Sequence, residues 1–209
     1  MRKFFLLASL LLTTSSLFAD LALPGELEPY ISKTNYKNKD VNYSIEKIYN
    51  QKEFCVNLVA KNSNGEKVWE SEIIGDSEKL VNIDGKTESI AIKDLDSDGI
   101  PEILSGGMNG PNASFLYVFK YNPTSKTFDP MAFTYPQNSF TRNFLVSDIF
   151  DPNSNDVIVK KDGKIRAAGK IYTKNGPVAG YYFFELKDGQ YECTSIVPQS
   201  KGNSKNKKQ

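Results

Sequence analysis

Four carboxylates fall within nine residues in the stretch Asp94-Leu95-Asp96-Ser97-Asp98-Gly99-Ile100-Pro101-Glu102. A hard divalent cation such as Ca2+ takes about six to eight oxygen ligands, and side chains at alternate positions all turn inward when a chain curls around it. Asp94, Asp96 and Asp98 occupy the first, third and fifth places. The sixth place needs a sharp turn with positive φ, and Gly99 stands there. Ile100 follows with a backbone carbonyl, and Glu102 offers a carboxylate directly or through water. Aspartate and glycine also favour ordinary solvated turns. Yet four acidic groups this close repel one another without a cation, and the interleaved Leu95 and Ile100 call for burial. The loop is therefore expected to bind Ca2+ through Asp94, Asp96, Asp98, Ile100 and Glu102. A second oxygen-rich stretch, Asp151-Pro152-Asn153-Ser154-Asn155-Asp156, lacks a glycine at its sixth place and has Val159 where the last carboxylate belongs, so it is expected to be a turn.

The elements around the acidic loop read as short strands. Phe54 to Ala60, the turn signal Asn62-Ser63-Asn64-Gly65, and Lys67 to Ile74 form a hairpin pattern. Ser89 to Lys93 leads into the loop, with Ile90 and Ile92 on one face. Beyond it, Ser114 to Tyr121 sets Phe115, Tyr117 and Phe119 against Leu116 and Val118, so both faces call for burial. Asp162-Gly163 and Asp188-Gly189 punctuate further apolar runs. No window sustains helical periodicity; only Ser44 to Asn50 offers a helical turn. The expected fold is all-β: antiparallel sheets in a small propeller-like or sandwich arrangement, with one EF-hand-like calcium loop between strands. In a helix–loop–helix hand the twelfth place carries a bidentate glutamate; here it is Ser105.

Composition narrows the classes. The 209 residues include no histidine, which excludes Ser-His-Asp and Cys-His nucleophile pairs and histidine-ligated zinc. Carboxylate-only glycoside hydrolysis stays formally open, but the acids of the loop are assigned to the ion and no other acid/base pair stands out, so the chain is expected not to be an enzyme. Met1-Arg2-Lys3, the apolar run Phe4 to Leu12 and the small residue Ala19 have the order of a secretory signal peptide, expected over 1–19. Residues 20–42, rich in Pro, Lys and Asn, read as a lead-in segment. A single calcium-binding β domain is expected over 43–198, and 199–209 as a disordered basic tail. The tail carries Lys201, Lys205, Lys207 and Lys208, so the body is mildly acidic and argues against a nucleic-acid partner. No later stretch is long and apolar enough to span a membrane. Cys55 and Cys193 are an even pair in an exported chain, which predicts a disulfide; two separately buried thiols are the alternative.

The strand, the acidic loop, Ile103-Leu104 and the following glycines resemble the FG-GAP or VCBS-type calcium loops of β-propeller proteins. The aromatic strand and Asn122-Pro123-Thr124-Ser125-Lys126-Thr127-Phe128 are similar to the turn that follows this loop in small periplasmic inhibitors of lysozyme-like peptidoglycan hydrolases, immunity proteins among them. Asn122 and Lys126 depart from the aspartate and glycine of that turn. The resemblance spans roughly Ser89 to Ile196 and implies a periplasmic inhibitor or immunity protein; secretion or the cell surface is the alternative location. The competing expectation is an envelope adhesion module that recognises a glycan or a surface protein. Ser105, Met108, Asn109 and Asn112, in the glycine-rich segment after the loop, are the expected partner contacts, pre-ordered by calcium at one end and the aromatic strand at the other. Asp40-Val41-Asn42-Tyr43-Ser44 matches an acidic extended sequon, which makes Asn42 a glycosylation candidate.

Overall fold

A computed structural model describes residues 30–136, 139–149, 151 and 153–199. The fold is all-β, as expected, with predominantly antiparallel sheets. The first sheet is a meander of β1 (Tyr30–Lys37), β2 (Asn42–Asn50), β3 (Cys55–Lys61) and β4 (Lys67–Glu70) in that order. The hairpin read from Asn62 to Gly65 pairs β3 with β4, Ala60 opposite Trp69.

The second sheet is built on a long hairpin of β9 (Glu102–Asn109) and β10 (Ala113–Asn122). The outer edge of β9 takes β8 (Ile90–Lys93) at one end and β5 (Ser77–Lys79) at the other. The outer edge of β10 takes β11 (Thr127–Pro130) and β14 (Leu145–Ser147). The third sheet, curled into a half-barrel, holds β6 (Val81–Ile83), β7 (Lys86–Glu88), β12 (Phe133–Thr134), β13 (Thr141–Arg142), β15 (Val157–Val159), β16 (Ile165–Thr173), β17 (Gly176–Lys187) and β18 (Gln190–Pro198). Its order is β13-β12-β18-β17-β16-β15-β6-β7, with β12/β18 and β15/β6 parallel.

The second sheet is the middle layer. Strand side chains alternate between faces, and β10 shows the consequence. Tyr117, Phe119 and Tyr121 join Tyr36, Ile45, Val56, Leu58 and Phe128 in a core against the first sheet. Leu116 and Val118 join Val159, Ile165, Phe133 and Phe184 in a second core against the third sheet.

Charged groups are buried at both seams. Lys47 on β2 is fully buried; its ammonium donates to the Gly106 carbonyl at 2.6 Å and pairs with Glu78 on β5 at 2.8 Å. Burial pushes the Lys47 pKa down against the pull of Glu78. The neighbouring Lys79 bonds to Asp156 at 2.8 Å, and Ser114 on β10 donates to the other oxygen of Asp156 at 2.5 Å. The turn closed by the Ser154 N–H on the Asp151 carbonyl at 3.0 Å thus leads into one buried structural carboxylate, Asp156.

Several expectations are corrected. The segment 20–42 is more than a lead-in: it contains β1, whose Tyr36 is fully buried against Phe128 with ring centroids 4.8 Å apart. Ser44 to Asn50 lies in a strand, not a helical turn, because Lys47 takes an inward position beside Ile45. Cys55 and Cys193 are free thiols: they stand on β3 of the first sheet and β18 of the third, with the middle layer between those sheets. The signal peptide at 1–19 lies outside the described residues, as does the tail beyond Gln199. Gln199 itself is tied down, its N–H donating to the Ala179 carbonyl at 2.8 Å. Among the described residues, no helix is long and apolar enough to cross a membrane.

Asp156→Ala deprives Lys79 and Ser114 of a shared buried acceptor, and removal of one partner from such a pair costs about 3–5 kcal/mol. Urea unfolding of that variant is expected to show a loss of that size with an unchanged m-value.

Candidate metal centre

The acidic loop closes the β8–β9 hairpin, where Lys93 pairs with Glu102 and Ile92 with Ile103. Strands flank it on both sides. Its curl is fixed locally. Gly99 has φ +83°, and Ser97 also sits in the left-handed region at +61°. The carboxylates bond to the loop's own backbone: Gly99 N–H donates to Asp94 at 3.0 Å, Asp98 N–H to Asp96 at 3.2 Å, and Ile100 N–H to Asp98 at 2.8 Å. Leu95 N–H donates to Glu102 Oε2 at 2.8 Å while the Leu95 side chain enters the core beneath. The side chain of Ile100 packs against the other core. Burial of these two apolar residues anchors the loop between the layers.

One oxygen each from Asp94, Asp96 and Glu102 lie within 4.8 Å of one another. Asp98 turns instead to Lys120, at 2.7 Å. The same ammonium bonds to Asp96 Oδ2 and lies 3.7 Å from Glu102 Oε1. Lys120 reaches this point because it follows Phe119, which pairs with Ile103, so strand register sets it beside Glu102. It is the site residue that loop spacing missed. The readable signal was the end of the Leu116, Val118 alternation, where a cation takes the next position on a core-facing side.

The electrostatics are unbalanced. One ammonium faces four carboxylates. Burial raises the Glu102 pKa to about 7, opposed by the Leu95 N–H and reinforced by the charges of Asp96 and Asp98. The hydrogen bond from Lys120 holds Asp98 below the usual carboxylate range. Burial alone would lower the Lys120 pKa, but the bonds to Asp96 and Asp98 win and hold it upward. Asp94 Oδ1 and Glu102 Oε1 are buried and have no hydrogen-bond partner among the described residues. Buried acceptors without donors are unfavourable. Oxygen-only chemistry with no nitrogen or sulfur donor suits a hard divalent cation, and the residues present fit one.

The expected partner segment is placed differently. Ser105, Gly106 and Gly107 are buried within β9, and the Ser105 hydroxyl donates to the Ser89 carbonyl at 3.1 Å, so Ser105 is not a partner contact. The glycines admit close backbone approach: a methyl on Gly107 would collide with the Ile74 carbonyl. Met108 is half-buried and pairs with Ser114 and Ser77; Asn109 and Asn112 are exposed at the hairpin tip. That tip stands at the far end of β9 from the acidic loop, about 23 Å away for an extended strand. Strand pairing, not the loop, therefore orders it. Asn42 is exposed at the first position of β2.

Comparison of the chain with protein-family models, with curated proteins and with solved structures finds no match. The class is thus defined by geometry: a three-layer β protein with an oxygen-rich loop at one end of its central hairpin.

Lys120→Met removes the ammonium that bridges Asp96 and Asp98. Without added metal the variant is expected to lose about 2 kcal/mol, the scale of charged hydrogen bonds, read as a lowered melting temperature by circular dichroism.

Proposed function

We propose that this chain is an exported, non-catalytic calcium-binding protein that inhibits, or gives immunity against, a lysozyme-like peptidoglycan hydrolase in the periplasm. The observation that carries the metal is the pair of buried carboxylate oxygens, Asp94 Oδ1 and Glu102 Oε1, without donors beside Asp96. A divalent ion would satisfy both and replace one positive charge by two. Asp94, Asp96 and Glu102 would hold it, with Asp98 and the Ile100 carbonyl joining as Lys120 withdraws. The signal-peptide pattern at 1–19 supports export.

For the inhibitor reading, the support is the resemblance of the loop and of Asn122–Phe128, together with a pre-ordered protrusion. The hairpin tip is held from the side: Gly110 N–H donates to Asp76 at 2.7 Å, and Asp76 N–H donates to the Met108 carbonyl at 2.9 Å. A rigid tip that offers Asn109, Pro111 and Asn112 loses little entropy on entering a cleft.

Calcium is expected to raise the melting temperature of the wild type. It should rescue Lys120→Met at least as strongly, since the competing ammonium is gone, and should leave an Asp94→Asn, Asp96→Asn double variant unmoved. Equal calcium response in the double variant refutes the assignment. Against a panel of lysozymes and lytic transglycosylases, the protein is expected to block turnover of at least one with nanomolar-class affinity, and Asn109→Ala with Asn112→Ala to weaken it. Absence of binding across the panel rejects the hydrolase target and leaves the calcium assignment standing.

A further inference from the structure

We propose that a second site, remote in function from the acidic loop, binds a saccharide that carries a carboxylate. It is a cleft of about 530 Å³ on the third sheet, where the long β16–β17 hairpin runs past the core. The face of β16 that buries Ile165 and Ala167 continues as Gly169 and Ile171 into this cleft. Gly169 and Gly180 pair directly across the two strands. The missing side chains leave a dent into which two neighbours reach. A methyl on Gly169 would meet the Tyr182 ring at 2.8 Å, and one on Gly180 would collide with Ile171. The result is a floor lined by the Tyr182 ring and Ile171.

The walls add two further rings and a cation. Tyr135 and Phe140 stack at 4.5 Å, and Arg142 lies over Phe140 with its guanidinium carbon 4.9 Å from the ring centroid. Tyr172, at the end of the hairpin, lines the same cleft and is 80% exposed. A guanidinium stacked on a ring keeps its N–H edge free to grip a carboxylate in two-point fashion. Arg142 has no carboxylate within ion-pair distance among the described residues. Asp148 accepts the backbone N–H of Lys170 at 2.8 Å and retains lone pairs for a donor such as a sugar hydroxyl.

This chemistry selects its occupant. The exposed ring of Tyr172 matches the C–H face of a pyranose, the spare acceptors match hydroxyls, and the unpaired guanidinium of Arg142 matches one acid group. A volume of this size falls in the range of small-ligand sites, about 300–1,000 Å³. A peptide added as a strand is disfavoured because the adjoining sheet edge, β13, is only two residues long and offers almost no backbone ladder. The site shares no residue with the acidic loop, so the proposal stands or falls apart from calcium and from the hydrolase target.

The test is calorimetric and NMR titration of the full chain, signal segment removed, with trigalacturonic acid, glucuronic acid, N-acetylmuramic acid and sialyllactose, each beside a neutral counterpart such as N-acetylchitotriose. At least one acid is expected to bind saturably and more tightly than its neutral counterpart. Arg142→Gln should weaken the acid about tenfold or more while sparing the neutral sugar. Tyr172→Ala, at an exposed position, should weaken both. No saturation with any of the four acids overturns the proposal, as does equal affinity for acid and neutral sugar. Unaltered binding in both variants overturns it too, as does binding of a protein at this patch with no saccharide affinity.

Discussion

The middle sheet has no free face, and that constraint organises the molecule. Apolar packing on both sides holds three layers together but is blind to register, since one methyl resembles another. Direction comes from β5, only three residues long. Glu78 and Lys79 are adjacent and so point to opposite faces. Glu78 pairs with Lys47 of the first sheet, and Lys79 pairs with Asp156 of the turn leading into the third. Each seam thus carries one buried ion pair, anchored on a single short strand. Buried pairs add little net stability after desolvation, but a misaligned layer would strand a charge.

The same principle explains which elements the sequence displayed and which it concealed. The acidic loop, the Asn62–Gly65 hairpin and the two-faced β10 were legible because local turn chemistry and alternation agreed with the final packing. β2 was obscured because its inward lysine, Lys47, breaks the apolar alternation, and its partner carboxylate lies thirty-one positions along the chain. β1 was obscured because its apolar residues, Tyr36 and the half-buried Ile31, stand five positions apart with polar residues between them, across a register shift. The glycine-rich segment after the loop, read as a partner-binding stretch, instead holds backbone-to-backbone contact between Gly107 and Gly75, a property of tertiary structure with no local signature. Cysteine parity likewise carries no information about which layer each thiol occupies.

At the acidic loop, the sequence specified the carboxylates but not their counter-charge. Loop residues supply most of one another's hydrogen bonds, so the curl does not depend on a cation to exist. Lys120 arrives from β10 through strand register alone. A fixed ammonium can neutralise one charge and offers three donors, whereas the cluster holds four carboxyl groups and two buried oxygens still lacking donors. The lysine therefore reduces repulsion without satisfying the site.

That incompleteness sets how a divalent ion would act. An ion held by both Asp96 and Asp98 would compete with Lys120 for them, so part of its binding free energy would go into breaking two charge-assisted hydrogen bonds. The remainder comes from Asp94 and Glu102, whose buried oxygens gain partners they otherwise lack. Because Glu102 opens β9 and Lys120 lies toward the end of β10, such an exchange would take place where the central hairpin meets both cores. Its mechanical effect would fall on the middle layer first. The outer layers would respond through their packing and through the Lys47 and Lys79 anchors, which lie toward the opposite end of β9. A metal at this loop would accordingly stiffen one end of the sandwich and leave the register of the three layers as the buried ion pairs set it.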